Sequence, residues 1–116
     1  MSAEVHNLSV EKGASYEQII RWTDDDGAAI NLSGATARMQ VRAATNVTTV
    51  LFEATTANGK LAIAGDLGQI TLTITAAESA AFTWSFGKYD LEIVTAGGLV
   101  YRLIRGTISI SAEVTQ

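Results

Sequence analysis

The sequence predicts an all-β fold, and three observations lead to that prediction. Apolar and polar residues alternate with a period of two, as they do in strands that bury one face. Turn dipeptides that contain glycine separate these runs at intervals of roughly ten residues, which is typical of antiparallel sandwiches and small barrels. Only the segment 76–82 has a helical pattern. We therefore expect one domain over residues 1–116, built of antiparallel strands with one helical corner.

The clearest alternation is ITLTIT at 70–75, where three aliphatic side chains share one face and three threonines share the other. Threonine suits a partly exposed pleated face, and the aliphatic residues can face a core. Similar alternation recurs at 35–42 and 89–93. From these runs we predict strands at 4–10, 15–23, 35–42, 49–54, 60–64, 69–75, 88–95 and 99–113.

Turn and cap signals separate the predicted strands. Three dipeptides can supply the positive φ angles that tight hairpins require, namely Asp26-Gly27, Asn58-Gly59 and Gly97-Gly98. Thr75 and Glu78 have the spacing of a capping box, so a helical turn is expected over 76–82. An isolated helix needs about a dozen residues, so this one must pack on the core through Phe82 or Trp84.

The last predicted strand changes phase along its length. Leu99, Tyr101 and Leu103 are apolar at odd positions, whereas Ile108 and Ile110 are apolar at even positions. One extra residue in a strand has this effect, and glycine tolerates the local bend. The sequence therefore predicts a β-bulge near 105–106.

Composition disfavours several classes of function. A hydrophobic fraction of 47% with 17% charged residues is that of a folded domain. The net charge of −4 disfavours nucleic acid and anionic lipid as partners. The chain has no cysteine, which excludes disulfides and cysteine nucleophiles and fits synthesis in a reducing cytoplasm. No signal peptide and no run of about 20 apolar residues is present, so a membrane is not expected.

Candidate catalytic and metal-binding residues are few. His6 is the only histidine, so a catalytic triad would have to use it. The run DDDG at 24–27 lacks the spacing of an EF-hand, and we interpret it as a solvated hairpin turn, with a different calcium-binding turn as the alternative. Asp90 and Glu92 share one face of a strand, which is not the arrangement of paired acids across a cleft. No phosphate-binding glycine motif occurs. We expect no catalytic, cofactor-binding or metal site and no enzymatic activity.

A polar stripe is the one candidate site, and its function would be subunit contact. Its residues are predicted to face outward from two strands, and they are Arg38, Gln40, Arg42, Arg102 and Arg105. The stripe has no interleaved aromatic residues and belongs to an acidic chain, so salt bridges to a neighbouring subunit are favoured over contact with nucleic acid.

Three stretches, in this order, resemble small structural proteins of tailed bacteriophages and prophages. The first is EKG at 11–13, followed by IIRWTD at 19–24 and INLSGATARMQVR at 30–42. The second is GQITLTITAAE at 68–78, and the third is GKYDLEI at 87–93 with VYRLIRG at 100–106. Their order is similar to that in the N-terminal β-sandwich of siphophage upper baseplate proteins.

The resemblance implies an immunoglobulin-like β-sandwich that is made in the bacterial host cytoplasm and assembled into the virion. Its expected partners are other virion proteins and copies of itself. The baseplate proteins continue beyond this domain into helical or receptor-facing regions, whereas this sequence stops at Gln116. A free-standing module is therefore expected. A tail, collar or baseplate accessory subunit is the first hypothesis, and a capsid decoration protein is the alternative. A carbohydrate- or receptor-binding module is a further hypothesis, which requires Trp22, Trp84 and Tyr101 to be exposed platforms.

Overall fold

The structure is a computed structural model, and it describes residues 4–44 and 46–111. The strands are β1 (Glu4–Val5), β2 (Leu8–Glu11), β3 (Tyr16–Arg21), β4 (Thr36–Arg42), β5 (Phe52–Thr55), β6 (Leu61–Ala64), β7 (Gln69–Ile74), β8 (Phe86–Val94) and β9 (Val100–Ser111). A helix, α1, spans Ala76–Ala80, and a single 3-10 turn spans Gly65–Leu67. The all-β prediction is confirmed.

The strands form two sheets. The large sheet has the order β1-β9-β8-β4-β5, with β2 also paired to β9, and the small sheet has the order β3-β7-β6. All pairs are antiparallel except those of β1 and β2 with β9, which are parallel. The prediction of a purely antiparallel fold is therefore wrong for the large sheet. Parallel pairing is possible here because the two partners are the first and last strands, so the rest of the chain forms the long connection that such pairing needs.

Most predicted strands are present, and the differences in their bounds have local causes. The predicted strand 4–10 is divided into β1 and β2 because the chain leaves the ladder at His6 and Asn7. Each of the three predicted turn dipeptides has one glycine with positive φ, namely Gly27, Gly59 and Gly98. The turn at 58–59 nevertheless joins β5 in one sheet to β6 in the other, so it is not a hairpin between paired strands. Residues 112–113 of the last predicted strand lie outside the described residues.

The predicted bulge is present, but it lies two residues earlier than expected. Leu91 pairs with Ile104 and Glu92 pairs with Arg102, so Leu103 is the extra residue of β9. Both Leu103 and Ile104 are buried. The bulge therefore places two successive aliphatic side chains in the core, which a regularly alternating strand cannot do.

Both sheets contribute to one hydrophobic cluster. The fully buried aliphatic residues are Val10, Val41, Ile70, Leu72, Ile74, Leu91, Ile93 and Ile108. Phe82 follows α1 and packs edge-on against Phe52, with ring centroids 5.4 Å apart. The prediction that the helical corner packs on the core through Phe82 is confirmed.

Helix α1 is stabilised at its start by the predicted capping box. The Thr75 hydroxyl accepts a hydrogen bond from the Glu78 N–H at 3.1 Å, and the Glu78 carboxylate accepts one from the Thr75 N–H at 3.0 Å. The buried Ser79 hydroxyl accepts a hydrogen bond from the Gly13 N–H and lies 2.9 Å from the Ala14 carbonyl, so it joins the helix to the turn between β2 and β3. The helix ends at Ala80, two residues before the predicted end. Across residues 4–44 and 46–111, no helix is long and apolar enough to span a membrane.

The N-terminal segment is held against β9 at a close backbone contact. The Tyr89 hydroxyl donates a hydrogen bond of 2.6 Å to the His6 carbonyl, and the His6 N–H donates to the Arg105 carbonyl at 2.8 Å. Burial, with a smaller contribution from Tyr16, raises the pKa of the Tyr89 hydroxyl and keeps it protonated as a donor. Gly106 pairs with Tyr89, and a Cβ at position 106 would overlap the His6 carbonyl. This close approach requires glycine at position 106.

We predict that Gly106→Ala destabilises the fold by about 2 kcal/mol or more, because the added methyl group must displace the N-terminal backbone. The measurement is urea denaturation followed by far-ultraviolet circular dichroism. Gly97→Ala is the matched control, since a Cβ there meets only the Thr95 hydroxyl at 3.9 Å. Equal loss of stability in both variants would contradict the proposed role of the close contact.

We also predict that acid weakens the fold through Glu78. Burial alone would raise the pKa of its carboxyl, but hydrogen bonds from Thr75 and the nearby Lys60 ammonium outweigh burial and lower the pKa. The resulting stabilisation is present above the unfolded-state pKa and is lost as the pH falls through the folded-state pKa. Glu78→Gln should reduce the loss of unfolding free energy between neutral and acidic pH. The control is Glu17→Gln, which removes an exposed carboxylate of β3 outside the capping box. An equal change in both variants would contradict the role of Glu78.

Candidate subunit-contact face

All five residues of the predicted polar stripe lie on the outer face of the large sheet. In the register of β4, β8 and β9, Arg38 lies opposite Glu92, which lies opposite Arg102. The next outward row contains Gln40, Asp90 and Arg105, and the third contains Arg42, Lys88 and Thr107. We call the part of this surface that lies on β4, β5, β8 and β9 the basic face, which leaves out Glu11 on β2. Its charged and amide residues are Arg38, Gln40, Arg42, Glu53, Lys88, Asp90, Glu92, Arg102 and Arg105.

The bulge at Leu103 is the reason that Arg102 and Arg105 lie on the same face. Residues three apart on a regular strand point to opposite sides of the sheet. The extra residue shifts the alternation by one, so Arg105 faces outward opposite Asp90 while Arg102 faces outward opposite Glu92. Regular alternation up to a bulge at 105–106, the position expected from the sequence, would turn Arg105 inward. The structure instead places the bulge at Leu103, between the two arginines, so both face outward.

Two arginines of the basic face are already paired within the chain. Arg38 Nη2 lies 3.2 Å from Glu92 Oε2, and Arg102 Nε lies 3.2 Å from Asp90 Oδ2. Arg102 thus contacts Asp90, which lies one row away, and not Glu92, its direct cross-strand neighbour. These two ion pairs lie within the chain, and salt bridges to a neighbouring subunit stay a prediction.

The side-chain amide of Gln40 is hydrogen-bonded on both sides. Gln40 Nε2 donates a hydrogen bond of 2.7 Å to Glu53 Oε2 on β5, and Gln40 Oε1 accepts one of 2.8 Å from Arg42. Arg42 also donates to the Val47 carbonyl at 3.2 Å. These bonds fix the direction of Gln40 and Arg42, so this part of the face has a defined arrangement of donors.

Arg105 and Lys88 are the two cations of this face without any such contact. Among residues 4–44 and 46–111, neither makes an ion pair or a side-chain hydrogen bond. Both line an open groove of about 360 Å³ that also includes Asn7, Thr107, and Arg102 with its ion-pair partner Asp90. Their charges are therefore available to an anionic group that enters the groove.

The basic face differs in charge from the rest of the molecule. It carries five cations and three carboxylates, a net charge of +2, whereas the whole chain has a net charge of −4. The remaining residues, with three cations and nine carboxylates, therefore carry −6. Five of the eight lysines and arginines thus lie on one side of one sheet. This segregation arises only when the strands are paired, and it is invisible in the net charge.

Exposed apolar residues border the basic face, and the sequence analysis did not identify them as part of the site. Val100 is 55% exposed at one end, Phe86 is 51% exposed at the other, and Val5 is 62% exposed beside Arg105. Each lies on the outward side of its strand by register. Phe86 could have been found from the sequence by extending the alternation of 88–95 two residues backwards. A charged centre with apolar margins provides both orientation and buried area to a protein partner.

The other sequence candidates do not form a second site. No group of three or more potential metal ligands exists within the part of the chain that the structure describes. Asp24 Oδ1 accepts hydrogen bonds from the Asp26 and Ala28 N–H groups, which confirms the hairpin-turn interpretation of 24–27. His6 Nε2 lies 3.5 Å from Glu4 Oε2 at the surface. Asp90 and Glu92 are ion-paired residues of the basic face.

The three aromatic residues proposed as sugar platforms have different environments. Trp22 is only 7% exposed and packs against Tyr101, with ring centroids 5.3 Å apart. Trp84 is half-buried and packs on Phe82 at 4.8 Å. Tyr101 is 36% exposed. Trp22 therefore serves as a core residue, which disfavours its use as an exposed platform.

Comparisons with known proteins assign no family. No protein-family model matches the chain, and a search of curated proteins finds no relative. The functional argument therefore depends on the geometry and charge of the basic face.

We predict that Trp22 fluoresces as a buried tryptophan. A Trp84→Phe variant isolates Trp22, and its emission should be blue-shifted and protected from acrylamide because the ring is enclosed. A Trp22→Phe variant isolates the half-buried Trp84 and should be quenched more readily. Mono- and oligosaccharides should change neither spectrum. Red-shifted, quenchable emission from Trp22 that responds to a sugar would support the carbohydrate-binding hypothesis instead.

Proposed function

We propose that this protein is a non-enzymatic structural subunit of a bacteriophage or prophage virion, and that it acts by binding other protein subunits through its basic face. The single observation that supports this proposal most strongly is the segregation of charge. Five cations are gathered on the outer side of the large sheet, and Arg105 and Lys88 remain unpaired among the described residues. An acidic protein surface would complete these contacts.

The proposed fold within this class is an immunoglobulin-like β-sandwich. Two sheets of six and three strands supply inward side chains to one core, which is consistent with that architecture. The parallel pairing of β1 and β2 with β9 is an addition to the antiparallel pattern of the resembling family. This part of the proposal rests on the resemblance and on the order of the motifs.

Weak contacts suffice for such a role when they are repeated on a symmetric particle. An exposed ion pair contributes roughly 0–1 kcal/mol, so one pair cannot hold a subunit in place. Repetition around a ring converts later binding steps into events at high effective concentration. The apolar margins at Val5, Phe86 and Val100 add area that water leaves on contact.

A tail, collar or baseplate accessory subunit is the placement we propose first, because the motif order resembles a baseplate domain. A capsid decoration protein remains the alternative placement. The two differ in the partner, and the neighbouring genes distinguish them: tail genes on both sides favour the accessory role, and capsid genes favour decoration.

We predict that the protein sediments with intact particles. An antibody raised against the pure chain is used to probe particles induced from the strain that carries the gene and purified on a density gradient. The expected result is a fixed ratio of the protein to a major virion protein across the particle peak. A strain with the gene deleted is the control for antibody specificity. Complete absence of the protein from washed particles would overturn the proposed function.

The same particles test the basic face. Arg105→Glu should reduce the bound amount, because it places a like charge where an acidic partner is expected. Arg21→Glu is the matched control, since Arg21 is exposed on the small sheet and carries the same charge. Equal loss for the two variants would contradict binding through the basic face.

A further inference from the structure

A second surface, formed by residues 23–29, is negatively charged, whereas the basic face has a net positive charge. Residues 23–29 form a protruding hairpin, here called the acidic arm, in which all seven residues are exposed. Thr23 bridges to Ala29, and the Asp24 N–H donates to the Ala28 carbonyl at 2.9 Å. Gly27 has a φ of 82° and closes the tip, which is a conformation suited to glycine. The arm is therefore an ordered projection.

The base of the acidic arm is attached firmly to the core. Trp22 lies directly before the arm, is buried, and packs against Tyr101 of β9. The Trp22 N–H donates to the Gly68 carbonyl, and the Ile30 N–H donates to the Trp22 carbonyl. Little conformational freedom would be lost when such an arm binds a partner, which favours association.

The carboxylates of Asp25 and Asp26 have no cation beside them. Within the described residues, neither makes an ion pair or accepts a side-chain hydrogen bond, and Asp24 uses one carboxylate oxygen for the turn itself. No ion pair joins the arm to the basic face of the same chain over those residues. The arm and the groove of Arg105 and Lys88 thus carry complementary charges that are unsatisfied in one molecule.

We propose that the acidic arm of one copy docks in the Arg105–Lys88 groove on the basic face of the next copy. This inference deepens the proposed function, on which it rests, by naming a second copy of the chain as the occupant of the face. Charge complementarity favours that occupant: a face of net charge +2 meets an exposed arm that carries three aspartates on an identical molecule. Asp25 and Asp26 approach Arg105 and Lys88, and the apolar Val5 borders the contact.

The contact joins two different surfaces, so it is heterologous. Head-to-tail contacts of this kind close into rings or continue into helical arrays, which are the symmetries that particle subunits adopt. A contact built on exposed charges is weak in solution and is screened by salt. The proposal therefore predicts self-association that depends on both protein concentration and ionic strength.

The test is a charge exchange measured by sedimentation velocity at low and high salt. One variant reverses the groove with Lys88→Glu and Arg105→Glu, and another reverses the arm with Asp25→Lys and Asp26→Lys. Each should lower the association constant by roughly fivefold or more, the equivalent of about 1 kcal/mol for an exposed ion pair. A chain that carries all four substitutions should regain association, because its groove is then negatively charged and its arm is positively charged. Lys12→Glu, in the turn between β2 and β3 and outside both the arm and the basic face, should associate like the native chain.

Each outcome decides the proposal. Recovery in the four-substitution chain supports the arm-to-groove contact, and it cannot arise from misfolding of either partial variant. A native chain that stays monomeric at low salt up to its solubility limit would overturn the contact, as would failure of the exchange to restore association. If the protein is nevertheless present in particles, the assembly role survives and only the self-contact is rejected. Thermal unfolding of every variant verifies that the fold is retained.

Discussion

One extra residue in β9 determines how the whole large sheet is arranged. Leu103 and Ile104 both enter the core, so the residues after them lie on the side opposite to the one that regular alternation from Arg102 would give. Arg102 and Arg105 consequently share the outer face, and Gly106 lies on the inner side opposite Tyr89. A regular strand would have turned one arginine toward the core, where an unpaired charge is strongly unfavourable. The core, the basic face and the N-terminal contact therefore all depend on the same bulge.

The bulge also prepares the place where the first strands join the last. Beyond it, Gly106 leaves room for the His6 carbonyl, to which Tyr89 donates its hydrogen bond. Asn7 then accepts a hydrogen bond from the Thr107 N–H at 3.1 Å through its side chain, at the point where the backbone ladder is interrupted. These bonds give partners to the His6 N–H, the His6 carbonyl and the Thr107 N–H, which limits the cost of interrupting the strand. The N-terminal segment and β9 thereby stabilise one another.

The residues that stabilise the fold differ from those of the proposed subunit contact. The buried aliphatic residues and the N-terminal contact hold the fold, whereas the exposed ion pairs of the basic face contribute little to it. Charges that contribute little to folding are free to orient and select a partner. For the proposed role as a subunit of a symmetric assembly, this division means that the contact surface can change without weakening the core.

The sequence by itself determined the elements whose signals are local. The alternation of β7 and the Thr75–Glu78 capping box depend on neighbours in the chain, so periodicity and spacing are sufficient to predict them. The outward direction of Arg38, Gln40 and Arg42 followed from the alternation of β4, whereas that of Arg105 depends on where the bulge lies. The phase change in β9 predicts a bulge, but alternation alone does not fix on which side of Ile104 the extra residue lies. The predicted position is therefore two residues later than the observed one.

Only the tertiary structure decided which strands are neighbours, and the site depends on that. Parallel pairing of β1 and β2 with β9 joins residues about a hundred positions apart, and no local signal specifies it. The Arg102–Asp90 ion pair and the unpaired state of Arg105 follow from cross-strand register, which sequence alone does not fix. Local periodicity thus specified which way each side chain faces, whereas long-range pairing specified which charges meet, because charges interact through space and not along the chain.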